Sequence, residues 1–170
     1  MILQTKLNVP PVGHTFVSRP RLYARMDEIL ERKVALISAA AGYGKTTLLS
    51  AWLQRLTARQ NRVVWPPQVH LIISSRCDPP FSLSSLRAKE KLVEIHAGDL
   101  CFTAEEAAQF LNDVMAPGFS QDVISLLGAR TQGWIAGLQL AALIARDPLV
   151  ASHRGDVSTL AAGFDKGHGG

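Results

Sequence analysis

Apolar positions recur along the chain in two periods, and each period predicts a different element. Leu22, Met26, Ile29 and Leu30 follow Pro20 at helical spacing. They predict a helix over about 21–31 with the proline in its first turn, where a missing N–H costs nothing. Lys33-Val-Ala-Leu-Ile-Ser38 is a short apolar run, the pattern of a strand covered on both faces. The apolar positions from Leu48 to Leu56 suit a helix packed on a sheet. Arg62–Trp65, Val69–Ser75 and Leu92–Ile95 read as further strands, the first stopped by Pro66-Pro67. Thr103-Ala-Glu-Glu106 is a capping box that starts a helix running to about Met115, ended by Pro117-Gly118. Ser120 caps a second helix over 121–130, and 133–145 forms a third, mostly apolar one, with Trp134, Leu138 and Leu140 expected in the core. Strands alternating with helices, followed by helices alone, predict an α/β fold: a parallel sheet with flanking helices, then a small helical segment. The expected boundaries are an extended arm at 1–20, the α/β domain at 21–100, the helical segment at 101–148 and a disordered tail at 149–170.

Composition narrows the class. The 170 residues are 47% hydrophobic and 19% charged, enough apolar surface to bury a core, and only 6% are aromatic, so aliphatic side chains must fill it. No apolar run approaches the roughly 18 residues of a membrane helix; Trp134–Ala145 is the longest. The start, MILQTKLNVPP, lacks the pattern of a secretory signal, and Cys77 and Cys101 stand far apart without metal-ligand spacing. A reduced, cytoplasmic setting and no membrane partner are therefore expected. The net charge of +4 is unevenly spread: Met1–Trp65 carries ten Lys/Arg against three acids, and the remainder is net negative. A basic front half suits an anion, a nucleic acid or an acidic partner, or is simply a solvated helix face.

One motif carries specific chemistry. Ala39-x-x-x-x-Gly44-Lys45-Thr46 matches the phosphate-loop pattern, with Ala at the usual first glycine. Gly42 and Gly44 permit the turns that aim successive N–H groups inward, and the helix that follows presents its free N–H groups to the same anion. Lys45 adds a charge suited to β and γ phosphates, and the Thr46 hydroxyl can ligate Mg²⁺. The pattern lies between an expected strand and an expected helix, its proper context. Hydrolysis also needs an acid at the end of a neighbouring strand, to hold metal and orient water. None is present: Val69–Ile73 runs into Ser-Ser-Arg, Arg62–Trp65 runs into Pro-Pro, and Asp78 lies in a loop before Pro79-Pro80.

Read in order, Val17-Ser-Arg-Pro-Arg-Leu22, Ser38-Ala-Ala-Ala-Gly-Tyr-Gly-Lys-Thr-Thr-Leu48, Ser74-Ser-Arg-Cys-Asp-Pro-Pro80, Asp99-Leu-Cys-Phe-Thr-Ala-Glu-Glu106 and Thr131-Gln-Gly-Trp-Ile-Ala-Gly-Leu-Gln-Leu-Ala-Ala142 resemble the nucleotide-binding domain of MalT-like, LuxR-type transcriptional regulators, in the STAND class of P-loop NTPases. The resemblance covers about residues 5–145. It implies an ATP/ADP- and Mg²⁺-binding switch rather than a metabolic enzyme, with inducer- and ATP-driven self-association. Carried over by position, Val17 and Arg19 lie near the adenine, and Ala41, Gly42, Tyr43, Gly44, Lys45, Thr46 and Thr47 hold phosphates and Mg²⁺. Arg76 is the implied sensor of the γ-phosphate, and Gly137–Ala141 the start of a helix that closes over the nucleotide.

Three departures qualify the likeness. Ala40 replaces a usual proline and Gln132 a usual glutamate. Trp65 runs directly into Pro66, where the family carries a long stretch ending in a strand with paired aspartates. Sensor repeats and a DNA-reading helix-turn-helix are not recognisable. The expectation is a shortened ATP-binding regulatory domain, at most a weak ATPase. Its alternatives are a non-binding remnant or interaction fragment of such a regulator, or an unrelated small P-loop kinase or ATPase.

Overall fold

The computed structural model describes residue 10 and residues 16–59, 71–115 and 118–146. The expected strand at 62–65, most of the arm, the Trp65–Pro66 junction and the tail lie outside the described residues. The chain divides into two units, Met1–Cys101 and Phe102–Gly170.

The first unit is an α/β layer, as the alternating pattern predicts. Three parallel strands, β1 (Val34–Ser38), β2 (Leu71–Ser75) and β3 (Leu92–His96), stand in the order β2-β1-β3. All five residues of β1 are buried, which explains its unbroken apolar run: it is central and covered on both faces. β2 is more exposed and has no second strand partner among the described residues. Helix α1 (Pro20–Asp27) gives way to a single 3₁₀ turn over Glu28–Leu30, a little shorter than the periodicity suggests. Helix α2 (Lys45–Arg59) begins earlier than its first large apolar residue. Two short helices, α3 (Ser84–Ala88) and α4 (Ala97–Leu100), had no periodic signal because each spans little more than one turn. Leu22, Met26 and Ile29 from the first helical stretch join Leu48, Trp52 and Leu56 of α2 over Ala35, Ile37, Val93 and Ile95 of the sheet.

Trp52 is completely buried, and its indole N–H donates to Asp27 Oδ1 at 2.8 Å. Arg55, packed over the Tyr23 ring, donates to the same carboxylate at 3.1 Å. Asp27→Ala strands the buried donor and is expected to cost about 1–3 kcal/mol. Asp27→Asn, which keeps an acceptor, should recover much of that in a thermal melt; equal melting of wild type and Asp27→Ala would refute the role.

Several basic residues of the front half make ties within the first unit. Arg19, 5% exposed, donates to the carbonyls of Leu100 and Cys101, both at 2.9 Å. Arg21 donates to the Asp99 and Cys101 carbonyls, and Arg25 pairs with the Asp99 carboxylate. The end of α4 leaves carbonyls without intrahelical donors, and guanidinium groups supply them. Arg19, Arg21 and Arg25 thus fasten the start of α1 to α4 and its end.

On the strand at the other side of β1, Glu94 of β3 accepts two bonds from Arg87 of α3, at 2.8 and 2.7 Å. Those hydrogen bonds, helped by the charge of Arg87 and opposed by partial burial, hold the Glu94 carboxyl below its ordinary range. A depressed carboxyl pKa contributes stability at neutral pH that fades as pH falls from about 4.3 through the depressed value. Glu94→Gln is expected to flatten the acid limb of melting temperature against pH. The amplitude is small because Arg87 is 54% exposed. An unchanged acid limb in the variant would sink this assignment.

The second unit is helical. α5 (Ala104–Gln109) starts on the expected capping box: Glu106 N–H donates to Thr103 Oγ1 at 3.2 Å, and Thr103 N–H to Glu106 Oε2 at 3.1 Å. It continues into a π turn over Phe110–Val114. α6 (Gln121–Thr131) is capped by Ser120, whose Oγ accepts from Val123 N–H. α7 (Ile135–Arg146) packs against α6. Leu138 is fully buried, but Leu140, expected in the core, is 51% exposed. The two residues are about 200° apart around a helix of 3.6 residues per turn, so one face cannot bury both. A Cβ on Gly137 would fall 2.6 Å from the Trp134 ring, so the small residue lets that indole lie against the helix.

Candidate functional site

Parallel strands gather their carboxyl ends at one edge, and a crevice forms there where successive connections leave in opposite directions. β1 is that point: the chain passes to β2 on one side and returns to β3 on the other. Ser38 stands in register with Ser75 and with His96, so all three strands end level. The Ala39–Gly44 loop leaves β1 at this edge and enters α2 at Lys45.

The loop is built for turns only glycine makes without strain. Gly42 has φ +82° and Gly44 φ +71°, both in the left-handed region. Ala39, 4% exposed, donates its N–H to the Ser75 carbonyl at 3.2 Å, which ties the start of the loop to the end of β2. Lys45 Nζ donates to the carbonyls of Ala39 and Ala40 at 2.6 and 2.7 Å, so its ammonium is held over the loop's own entrance. Within α2 the first bond closes from Leu48 N–H to the Gly44 carbonyl at 2.8 Å. The N–H groups of the preceding first turn have no intrahelical acceptor. Ala41, Gly42, Thr46 and Thr47 are exposed, whereas Tyr43 packs against the core.

The other residues singled out in the sequence divide into two groups. Arg76 follows Ser75 directly, is exposed, and has no hydrogen-bond or ion-pair partner among the described residues. The Ala39–Ser75 bond therefore places Arg76 one residue from the root of the loop. Val17 and Arg19 stand at the start of α1, both buried, with Arg19 Nη2 engaged by the Leu100 and Cys101 carbonyls. Gly137–Ala141 lies within α7 of the second unit. The carbonyl partners of Lys45 and the Ala39–Ser75 bond were not legible in the sequence, because main-chain acceptors carry no residue signature.

The three described strands end in Ser38, Ser75 and His96, none of them a carboxylate. Asp99 is occupied by Arg25 and by the His96 N–H. Among the described residues no group of three His, Cys, Asp or Glu side chains is arranged to hold a metal. The donors present thus fit a polyphosphate well, and fit Mg²⁺ only through the exposed Thr46 hydroxyl together with oxygens brought by the ligand.

No protein-family model matches the chain. Curated relatives do. Over 82 residues, 48% of this chain and 9% of the relative, it is 40% identical to the HTH-type transcriptional regulator MalT of Serratia proteamaculans. Over 81 residues, again 48% and 9%, it is 33% identical to that of Vibrio campbellii. The match to the Cronobacter sakazakii regulator of the same name is 26% over 239 residues, covering 91% of this chain and 26% of the relative. The chain therefore spans between about a tenth and a quarter of the length of the relatives it matches. An alignment of 239 positions is longer than the chain itself, so the relative carries residues within it that have no counterpart here. The likeness expected from the motifs is borne out. Among the described residues no helix is long and apolar enough to cross a membrane.

Proposed function

Proceeding from a chain that is MalT-like in sequence, we propose that it is an ATP/ADP-binding regulatory module of that type, with hydrolysis weak or absent. The supporting observation is the Ala39–Lys45 loop: two left-handed glycines, a lysine held across the loop entrance, and a helix whose first turn faces the same space. Successive N–H groups of the loop and of α2 would surround the phosphate oxygens. Lys45 would leave its carbonyls for the β and γ phosphates, exchanging neutral acceptors for charged ones. Arg76 would sense the γ-phosphate from the end of β2. Val17 would line the adenine side, with Arg19 acting from behind by fastening the start of α1. Thr46 would hold Mg²⁺ with its hydroxyl, the ion neutralising phosphate charge when bound.

A reason for slow turnover lies in the strand ends. Without a carboxylate there, no described group orients an attacking water, while every donor that grips phosphate is retained. Binding should thus persist where catalysis fails. A non-binding remnant is the competing reading, favoured by the open outer edge of β2 among the described residues. Titration with fluorescent ATP, for wild type and Lys45→Ala in parallel, decides between them. Binding that depends on Lys45 supports the module, and no binding by wild type supports the remnant.

A further inference from the structure

The phosphate loop leaves the exposed aromatic side chains of the first unit unused. Phe16 is 38% exposed, although Val17 beside it is buried. The ties of α1 fix where that segment stands. Arg19, just before α1, holds the Leu100 and Cys101 carbonyls at the end of the short helix that follows β3. α1 then runs beside α2: the Trp52 indole donates to Asp27, and each residue lies seven positions beyond the first residue of its helix. At about 1.5 Å of rise per residue in both helices, their starts stand level. α2 starts at the carboxyl edge of the sheet, so the chain from Phe16 to Arg19 enters α1 at that same edge. The tie to the end of α4 puts it on the β3 side of the phosphate loop.

A nucleotide presents phosphate at one end and a base at the other. With Arg76 at the end of β2 taking the γ-phosphate, the base points away from β2, toward β3 and the start of α1. Tyr43 packs against the core, and Phe81 lies in the loop that follows β2, at the phosphate end. Among the described residues of the first unit, Phe16 is thus the exposed aromatic on the side of the base. We propose that Phe16 stacks on the base of the bound nucleotide, an assignment that rests on the nucleotide reading. A ring partly in water and partly backed by protein gains apolar burial when a base covers its face. Every base has a π-face, so such a contact adds affinity whichever base it meets. On the scale of base–aromatic contacts it contributes about 5- to 100-fold in affinity.

Isothermal titration of the full chain with ATP and with inorganic tripolyphosphate, which lacks ribose and base, tests the assignment. Phe16→Ala is expected to weaken ATP by about 5- to 100-fold and to leave tripolyphosphate unchanged. Phe16→Trp, which keeps a stacking face, should retain ATP affinity, and Phe81→Ala should match wild type. A melting curve of Phe16→Ala without nucleotide should lie close to wild type, because the ring is partly exposed. Equal loss of ATP and tripolyphosphate in Phe16→Ala would mark a structural role and overturn the proposal. ATP binding that depends on Lys45 but not on Phe16 would overturn it alone. A wild type that binds neither ligand would overturn the nucleotide reading and this assignment together.

Discussion

Lys45→Ala is expected to weaken ATP binding by about 100-fold or more, near 3 kcal/mol, the scale of a lost charge-assisted contact to phosphate. The expectation rests on where the ammonium sits. Nζ lies 2.6 and 2.7 Å from the Ala39 and Ala40 carbonyls, so the charge is already at the loop entrance before any anion arrives. Little side-chain entropy remains to be lost on binding. Removing the lysine also removes a donor from two loop carbonyls, one of them on a buried residue, so loss of affinity has two sources. Ala40 is exposed and water can replace its partner, which limits the structural part. A melting curve without nucleotide separates them: a small shift alongside a large loss of affinity marks a binding role. Equal dissociation constants for wild type and Lys45→Ala would remove the basis for the nucleotide reading.

The second large effect concerns Arg19, and its expected sign separates two roles. Arg19→Met keeps most of the aliphatic length but leaves the Leu100 and Cys101 carbonyls without their guanidinium donor. With the site only 5% exposed, water is a poor substitute, and a loss of about 2–3 kcal/mol is expected. At about 4 °C per kcal/mol, the melting temperature should fall by about 10 °C. Arg19→Lys should recover only part of this, because the lysine side chain is one bond shorter and does not bring its ammonium to the place where Arg19 Nη2 meets both carbonyls. ATP affinity measured below the transition should change far less than for Lys45→Ala. If affinity collapses while the melting temperature holds, Arg19 touches the ligand instead.

How much was legible follows from how far each interaction reaches along the chain. The Thr103–Glu106 capping box closes over three residues, and both of its bonds form as the sequence pattern predicts. The apolar run of β1 and the Gly42 and Gly44 turns are likewise local, and each appears in its expected place. Leu140 shows the limit of periodicity. A mostly apolar helix has no polar face to announce which side is out, so its amino acids could not distinguish Leu138 from Leu140. The arginines show a different limit. Arg19 and Leu100 are 81 positions apart, and the acceptors are backbone atoms that every residue possesses. A cluster of basic residues therefore reads as an anion-attracting surface when much of it is a set of internal ties.

The sequence by itself determined the α/β class, the glycine loop between strand and helix, the lack of an acid at the ends of the three described strands and the likeness to MalT regulators. These depend on short-range periods, on turn geometry open to few residue types, and on side-chain identity. Tertiary structure alone decided that β1 is the central strand and that Ala39 is tied to Ser75. It also decided that Lys45 rests on its own loop, and that Arg19, Arg21 and Arg25 serve the end of α4. Each of those is a pairing between distant segments or with main-chain atoms, and only the folded chain brings such partners within hydrogen-bonding distance.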